Sequence, residues 1–131
     1  MDHPNPTEGE LAILRVLWKK GAPASVHEVH AELLKSKDTA YTTVLKMLTI
    51  MAEKGLVRRD ESERRHLYAP VFQESVVQSS LLKDFIRNAF AGSAFRLFQS
   101  ALHEDATSQK ELEEIERLIA QARKRKKADK R

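Results

Sequence analysis

Hydrophobic positions recur at helical spacing over residues 11–18, and this pattern predicts a first helix that ends near Lys20. Its apolar positions are Leu11, Leu14, Leu17 and Trp18. Thr7 and Glu10 stand three residues apart before them, the spacing of a capping box, and Gly21 supplies a stop. The sequence therefore predicts an amphipathic helix with a capping signal at its start and a glycine stop at its end.

Two further helices are predicted before residue 56. Ser25 and Glu28 form a second capping box, and the helix that they open ends in the polar run 35–38. The third helix starts around Thr39 or Ala40 and stops at Gly55. Its inner face is formed by Val44, Met47, Leu48 and Met51.

A short β-hairpin follows the third helix. Residues 56–59 and 66–69 are strand-like, the polar turn 60–65 separates them, and Pro70 ends the second strand. Three helices and a basic hairpin are the layout of a winged-helix DNA reader, with one helix for the major groove and a wing for the phosphates.

Beyond residue 72 the pattern is helical only. Val77, Leu81, Phe85 and Ala89 repeat every four residues, Gly92-Ser93 breaks the helix, and helical pieces follow over 94–102 and after Ser108. The predicted fold class is mainly α with a small β-hairpin, a winged helix-turn-helix domain followed by a three-helix dimerisation region. The predicted boundaries are 1–72 for DNA binding, 73–122 for dimerisation and 123–131 for a basic, disordered tail.

The net charge of +4 is concentrated at one end of the 131-residue chain. Residues 123–131 hold seven Lys or Arg and one Asp, so the rest of the chain carries −2. DNA binding must therefore be argued from the position of individual charges.

Several classes of protein are disfavoured by the composition. The chain has no cysteine, no signal-peptide pattern at its start and no long apolar run, so we expect a cytoplasmic protein without membrane insertion. His27 and His30 stand three residues apart, whereas the zinc-protease motif needs four. We expect no metal, no cofactor and no enzymatic activity.

The outer face of the third helix carries candidate base contacts. Threonine can bond a base edge or meet a thymine methyl, and lysine can reach a guanine or a phosphate. The predicted contacts are Thr39, Tyr41, Thr42, Thr43 and Lys46. The competing interpretation is an ordinary surface helix, on which such residues are common.

Four arginines converge on the hairpin, and Arg58, Arg64 and Arg65 are the predicted wing contacts with phosphate. Acidic Asp60, Glu61 and Glu63 in the same turn weaken the local field. The competing interpretation of this segment is a solvated β-turn with internal ion pairs.

Four of the five phenylalanines fall within residues 85–98, too much aromatic surface for three short helices to bury alone. The predicted homodimer interface comprises Leu81, Phe85, Phe95, Phe98, Leu112, Ile115 and Ile119. These side chains could instead pack back onto the winged-helix domain.

The segments TAYTTVLKML and EKGLVRRDESERRHLYAP resemble the penicillinase-repressor family, the BlaI/MecI/CopY group of bacterial winged-helix regulators. The resemblance, which extends from Glu8 to about Ala122, implies a homodimer that binds a palindromic DNA operator and represses transcription. Leu45 departs from the family pattern, since some relatives have a polar or basic residue there.

In the β-lactam-responsive members of that family, a membrane-bound sensor metalloprotease leads to cleavage of the repressor. The resemblance implies cleavage within the helical segment 94–102, near Ser100-Ala101, where the best-known relatives have Asn-Phe.

The residues leave two functional questions open. The winged helix could dock a protein partner instead of DNA, as a protein-interaction module. The basic tail could either attract DNA or be a frayed end.

Overall fold

The computed structural model describes residues 4–104 and 107–129 and divides into two compact units, Met1–Leu82 and Lys83–Arg131. The division falls inside a helix, after Leu82, ten residues beyond the boundary predicted at residue 72. Over the described residues the elements are α1 (Glu8–Lys20), α2 (Val26–Leu33), α3 (Tyr41–Lys54), β1 (Val57–Asp60), β2 (Leu67–Pro70), α4 (Glu74–Ala89), α5 (Ala94–His103) and α6 (Gln109–Asp129).

Capping boxes open α1 and α2, as predicted. The Thr7 hydroxyl accepts from the Glu10 amide at 3.2 Å, and the Glu10 carboxylate accepts from the Thr7 amide at 2.9 Å. Ser25 and Glu28 form the same reciprocal pair. Hydrogen bonds from the Lys20 ammonium and then from the Ser25 amide lower the pKa of Glu28 to about 2. The end of α1 at Gly21, with φ of 70°, is also confirmed.

The inner face of α3 lies in the core of the first unit. Val44, Leu48 and Met51 are fully buried and Met47 is partly buried, which confirms the predicted face. The helix begins at Tyr41, one or two residues after the predicted start at Thr39 or Ala40, and its C-cap is Gly55, with φ of 83°. This face belongs to one cluster with buried side chains from α1, α2, both strands and the residue after Gly55: Ile13, Leu14, Leu17, Val29, Leu56, Val57 and Tyr68.

The hairpin is antiparallel, with Arg58 opposite Ala69 and Arg59 opposite Tyr68. Each strand lies one residue later than predicted. A contact that the sequence did not predict joins Ala24 to Tyr68, whose amides each donate to the other's carbonyl at 2.9 and 2.7 Å. This isolated bridge lies outside the two-stranded sheet, and it attaches the hairpin to the segment just before α2.

Glu10 makes a second connection in addition to its capping bond. Its side chain is buried, and the Lys54 ammonium at the end of α3 lies 2.8 Å from the carboxylate. Burial raises the pKa of Glu10, but the bonds from Lys54 and Thr7 outweigh it, so the pKa lies below its usual value. The pair therefore ties the start of α1 to the end of α3.

The second unit differs from the first because none of its described residues is fully buried. Helix α5 starts after Ser93, whose hydroxyl accepts from the Arg96 amide at 3.2 Å. The sequence predicted a disordered tail from residue 123, but residues 123–129 instead continue α6. Lysine, arginine and alanine favour helices, and positive charge is favourable at a helix C-terminus, which explains the continuation.

The Glu10–Lys54 pair gives a prediction about stability. Lys54→Ala should lower the free energy of unfolding at neutral pH by about 1–2 kcal/mol, because a buried carboxylate loses its cationic partner. Since the folded-state pKa of Glu10 is lowered, this contribution is present above its ordinary pKa and is lost as the pH falls through the folded value. Urea unfolding at neutral and strongly acidic pH measures both effects.

The matched control for that experiment is Lys35→Ala, which removes an exposed ion pair with Glu32 at 3.0 Å. Such pairs contribute little, so a loss below about 0.5 kcal/mol is expected. Equal losses in the two variants would contradict a special role for the Glu10–Lys54 pair.

Candidate nucleic-acid interface

The outward face of α3 carries the residues that the sequence singled out for base contact. Thr42, Thr43 and Lys46 are exposed, and Tyr41 is 44% exposed. Thr39 precedes the helix and is half-buried. The face is available because the buried residues Val44, Leu48 and Met51 occupy the opposite side of the same helix.

The connection from α2 to α3 is held by His30, for which the sequence suggested no role other than metal binding. Its Nε2 lies 2.6 Å from the carbonyl oxygen of Thr39, so this nitrogen carries the proton and donates. The His30 ring also meets the Tyr41 ring edge-on, with centroids 5.7 Å apart and planes at 88°. Sequence spacing gives no signal for such a contact, which only the approach of the two helices creates.

The acidic residues of the wing are largely occupied within the wing itself. Glu61 Oε1 lies 2.7 Å from Arg59 Nε, and the Asp60 carboxylate accepts from the Ser62 amide at 2.9 Å. The hydrogen bond from the Ser62 amide lowers the pKa of Asp60. A hydrogen bond with the Tyr68 hydroxyl, and then the charge of Glu61, raises the pKa of Arg59. The predicted internal ion pairing is therefore real, but it involves Arg59.

The remaining wing arginines are exposed. In the part of the chain that the structure describes, no carboxylate forms an ion pair with Arg58, Arg64 or Arg65. Their guanidinium groups can each offer several donors to a phosphate.

One groove brings the wing and α3 together. It has a volume of about 240 Å³ and lies between the start of α2, the first turns of α3 and the hairpin. Of the predicted contacts, Tyr41, Arg64 and Arg65 line it, while Thr39, Thr42, Thr43, Lys46 and Arg58 do not. The groove also contains Leu45, which the resemblance marked as a departure from the family pattern, and two residues that were not predicted for the site, His27 and His66. The position of the two histidines depends on tertiary packing, so their sequence spacing carries no signal for it.

The residues of the predicted dimer interface are incompletely covered. Phe95 is 72% exposed, Phe85 and Phe98 are more than half exposed, and Ile119 is 48% exposed. Leu81, Leu112 and Ile115 are half-buried. Within the second unit, Phe85 contacts Phe90 edge-on at 5.6 Å. Ser100 and Ala101, the predicted cleavage position, are exposed within α5.

Neither a membrane helix nor a metal centre emerges from the ranges 4–104 and 107–129. No helix there combines the length and the apolar character needed to cross a bilayer. In the same ranges, no group of three or more His, Cys, Asp or Glu residues could hold a metal ion.

The three-helix core, the hairpin and the exposed face of α3 define a winged helix-turn-helix protein. The family model described as penicillinase repressor matches residues 6–121, and the chain belongs to that family. Named relatives in this family are transcriptional regulators and penicillinase repressors.

Curated relatives agree with this assignment. The transcriptional regulator BlaI of Mycobacterium tuberculosis is 36% identical over 80 residues, which cover 61% of this chain and only 58% of that protein. The penicillinase repressor of Bacillus licheniformis is 25% identical over 124 residues, covering 95% of this chain and 96% of that one.

A solved structure is also similar. The solution structure of the Bacillus licheniformis BlaI monomeric form in complex with the blaP half-operator has 28% sequence identity to this chain. The match covers 56% of this chain and 89% of that one, with a TM-score of 0.49.

Proposed function

We propose that this protein is a dimeric repressor that binds a palindromic DNA operator. One observation carries the proposal: Arg64 and Arg65 line the same groove as Tyr41 of α3, while Asp60 and Glu61 are engaged elsewhere in the wing. A basic projection beside an exposed polar helix is the arrangement that places the helix in the major groove and the wing on phosphates. Membership of a repressor family supports the same function.

The two surfaces have different roles in this proposal. Thr39, Tyr41, Thr42, Thr43 and Lys46 approach base edges and nearby phosphates. The wing residues Arg58, Arg64 and Arg65 contact phosphates, which orients the helix without contributing sequence preference.

Residues 1–72 form the DNA-binding part in this scheme, and residues 73–122 join two copies. The support for dimerisation is the exposure of Phe85, Phe95, Phe98 and Ile119. Burial of each phenylalanine is worth about 1.5–3 kcal/mol, which favours association. Two DNA-binding parts on one dimer bind half-sites about one helical turn apart at high effective concentration.

Release from the operator is proposed to follow cleavage at Ser100-Ala101, through a membrane-bound sensor metalloprotease system. The bond lies in a ten-residue helix in which no residue is fully buried, so local opening of α5 costs little compared with opening of the core. Cleavage there would separate α6 from the rest of the interface.

The DNA-binding proposal predicts charge-dependent affinity. In gel-shift titrations with duplex DNA from upstream of the protein's own gene, Lys46→Ala and Arg64→Ala should each weaken binding. Each should also reduce the slope of log K against log salt by about one per lost phosphate contact. Lys19→Ala is the control, because it removes an equal charge from α1 outside the proposed interface.

Two results would contradict DNA binding by this surface. One is the absence of any shifted fragment at low salt. The other is equal behaviour of all three variants. Salt-insensitive capture of a protein partner through α3 would favour the interaction module instead.

The dimer proposal predicts a mass of twice the 15.0 kDa chain in sedimentation equilibrium at micromolar concentration. Phe95→Asp combined with Phe98→Asp should raise the dimer dissociation constant at least about 100-fold, because two aromatic side chains per copy are lost from the interface. Gln99→Asp is the control, since it adds a negative charge to an exposed position of α5. A wild-type chain that sediments as a compact monomer would overturn the proposal.

Proteolytic release predicts a shortened repressor in cells exposed to a β-lactam. Mass spectrometry of the immunoprecipitated protein should find a fragment that ends at Ser100, with untreated cells as the control. Full-length protein throughout derepression would remove cleavage from the mechanism.

A further inference from the structure

An apolar surface lies inside the basic groove between α3 and the wing. Tyr41 and Leu45 stand one helical turn apart, and both line the groove that Arg64 and Arg65 also line. Leu45 is 41% exposed, close to the 44% of Tyr41. Single exposed leucines are common on proteins, so it is the position beside two guanidinium groups that gives this one significance.

The Tyr41 ring is held in place before any ligand arrives. His30 donates to the Thr39 carbonyl at 2.6 Å, and its ring contacts Tyr41 edge-on at 5.7 Å. Edge-to-face contacts of this kind restrict the orientation of both rings. The apolar surface therefore has a defined shape, with the tyrosine ring at the first turn of α3 and the leucine at the second.

The chemistry of Leu45 limits what it can recognise. A leucine side chain has no donor or acceptor, so it cannot bond the N7 or O6 atoms of guanine or the N6 amine of adenine. Among the standard bases, the apolar group presented in the major groove is the C5 methyl of thymine. A side chain near the start of a recognition helix is well placed to reach such an edge.

We propose that Tyr41 and Leu45 form a contact surface for thymine methyl groups, so that each half-site of the operator requires thymine at a position opposite α3. The inference rests on the proposed DNA-binding function and deepens it by naming a base determinant. Arg64 and Arg65 hold the adjacent phosphates, and the methyl group displaces water from the apolar surface between them.

The test starts with selection of bound sequences from a pool of random duplexes by the full-length protein. Each thymine of the selected half-site is then replaced by deoxyuridine, which removes only the methyl group. At one or two positions we expect affinity to fall about four-fold per methyl lost, the effect of exposing one buried methyl-sized group.

Variants of Leu45 link this loss to the proposed surface. Leu45→Ala should bind the thymine and deoxyuridine duplexes almost equally, whereas Leu45→Met, which keeps the apolar volume, should retain most of the discrimination. Leu34→Ala is the matched control, because Leu34 is 47% exposed and does not line the groove. A double-mutant cycle between protein and DNA isolates the methyl contact from general losses of affinity.

The outcomes separate this inference from the function on which it rests. Enriched duplexes whose thymines can all be replaced without loss would overturn the methyl contact and leave DNA binding intact. The methyl contact would also be overturned, with DNA binding intact, if Leu45→Ala discriminated between the thymine and deoxyuridine duplexes as strongly as the wild-type protein does. Failure to enrich any duplex would overturn the DNA-binding function, and the methyl contact with it.

Discussion

Burial of one face of α3 is the constraint on which the rest of the first unit depends. Val44, Leu48 and Met51 are fully buried, and they fix the rotation of the helix about its own axis. This rotation determines which residues of α3 face the solvent, and Thr42 and Lys46 are among them. The packing of the opposite face therefore sets which residues of α3 point outward.

The wing is oriented by a smaller set of interactions, and their residues belong to the same buried core. Tyr68 is buried, it pairs with Ala24 through two backbone hydrogen bonds, and it stands opposite Arg59 in the hairpin. One residue thus links the hairpin to the segment before α2. Because Glu61 is paired with Arg59, the positive field of the hairpin comes from Arg58, Arg64 and Arg65 despite the nearby acids.

The second unit has a different physical character. Its helices carry strong apolar faces, yet Phe95 and Phe98 remain largely exposed. Large exposed aromatic surfaces on a small chain are costly in water, and they favour association with another surface. Helix α6 carries an apolar stripe in its first part. Its second part is cationic, because the basic segment continues the helix through Asp129.

The sequence by itself determined the order of the elements, the two capping boxes, the helix stops at Gly21 and Gly55 and the buried face of α3. These features depend on local hydrogen bonding and on the periodicity of apolar residues, which a linear chain displays directly. The sequence also identified the candidate residues on α3 and the wing. Tertiary structure decided which of them share a groove, because Tyr41 and Arg64 lie far apart in the chain and line one groove through the packing of the hairpin, which the bridge between Ala24 and Tyr68 holds. It likewise decided the roles of His30, Leu45 and the Glu10–Lys54 pair, since contacts between residues distant in the chain leave no periodic trace in it.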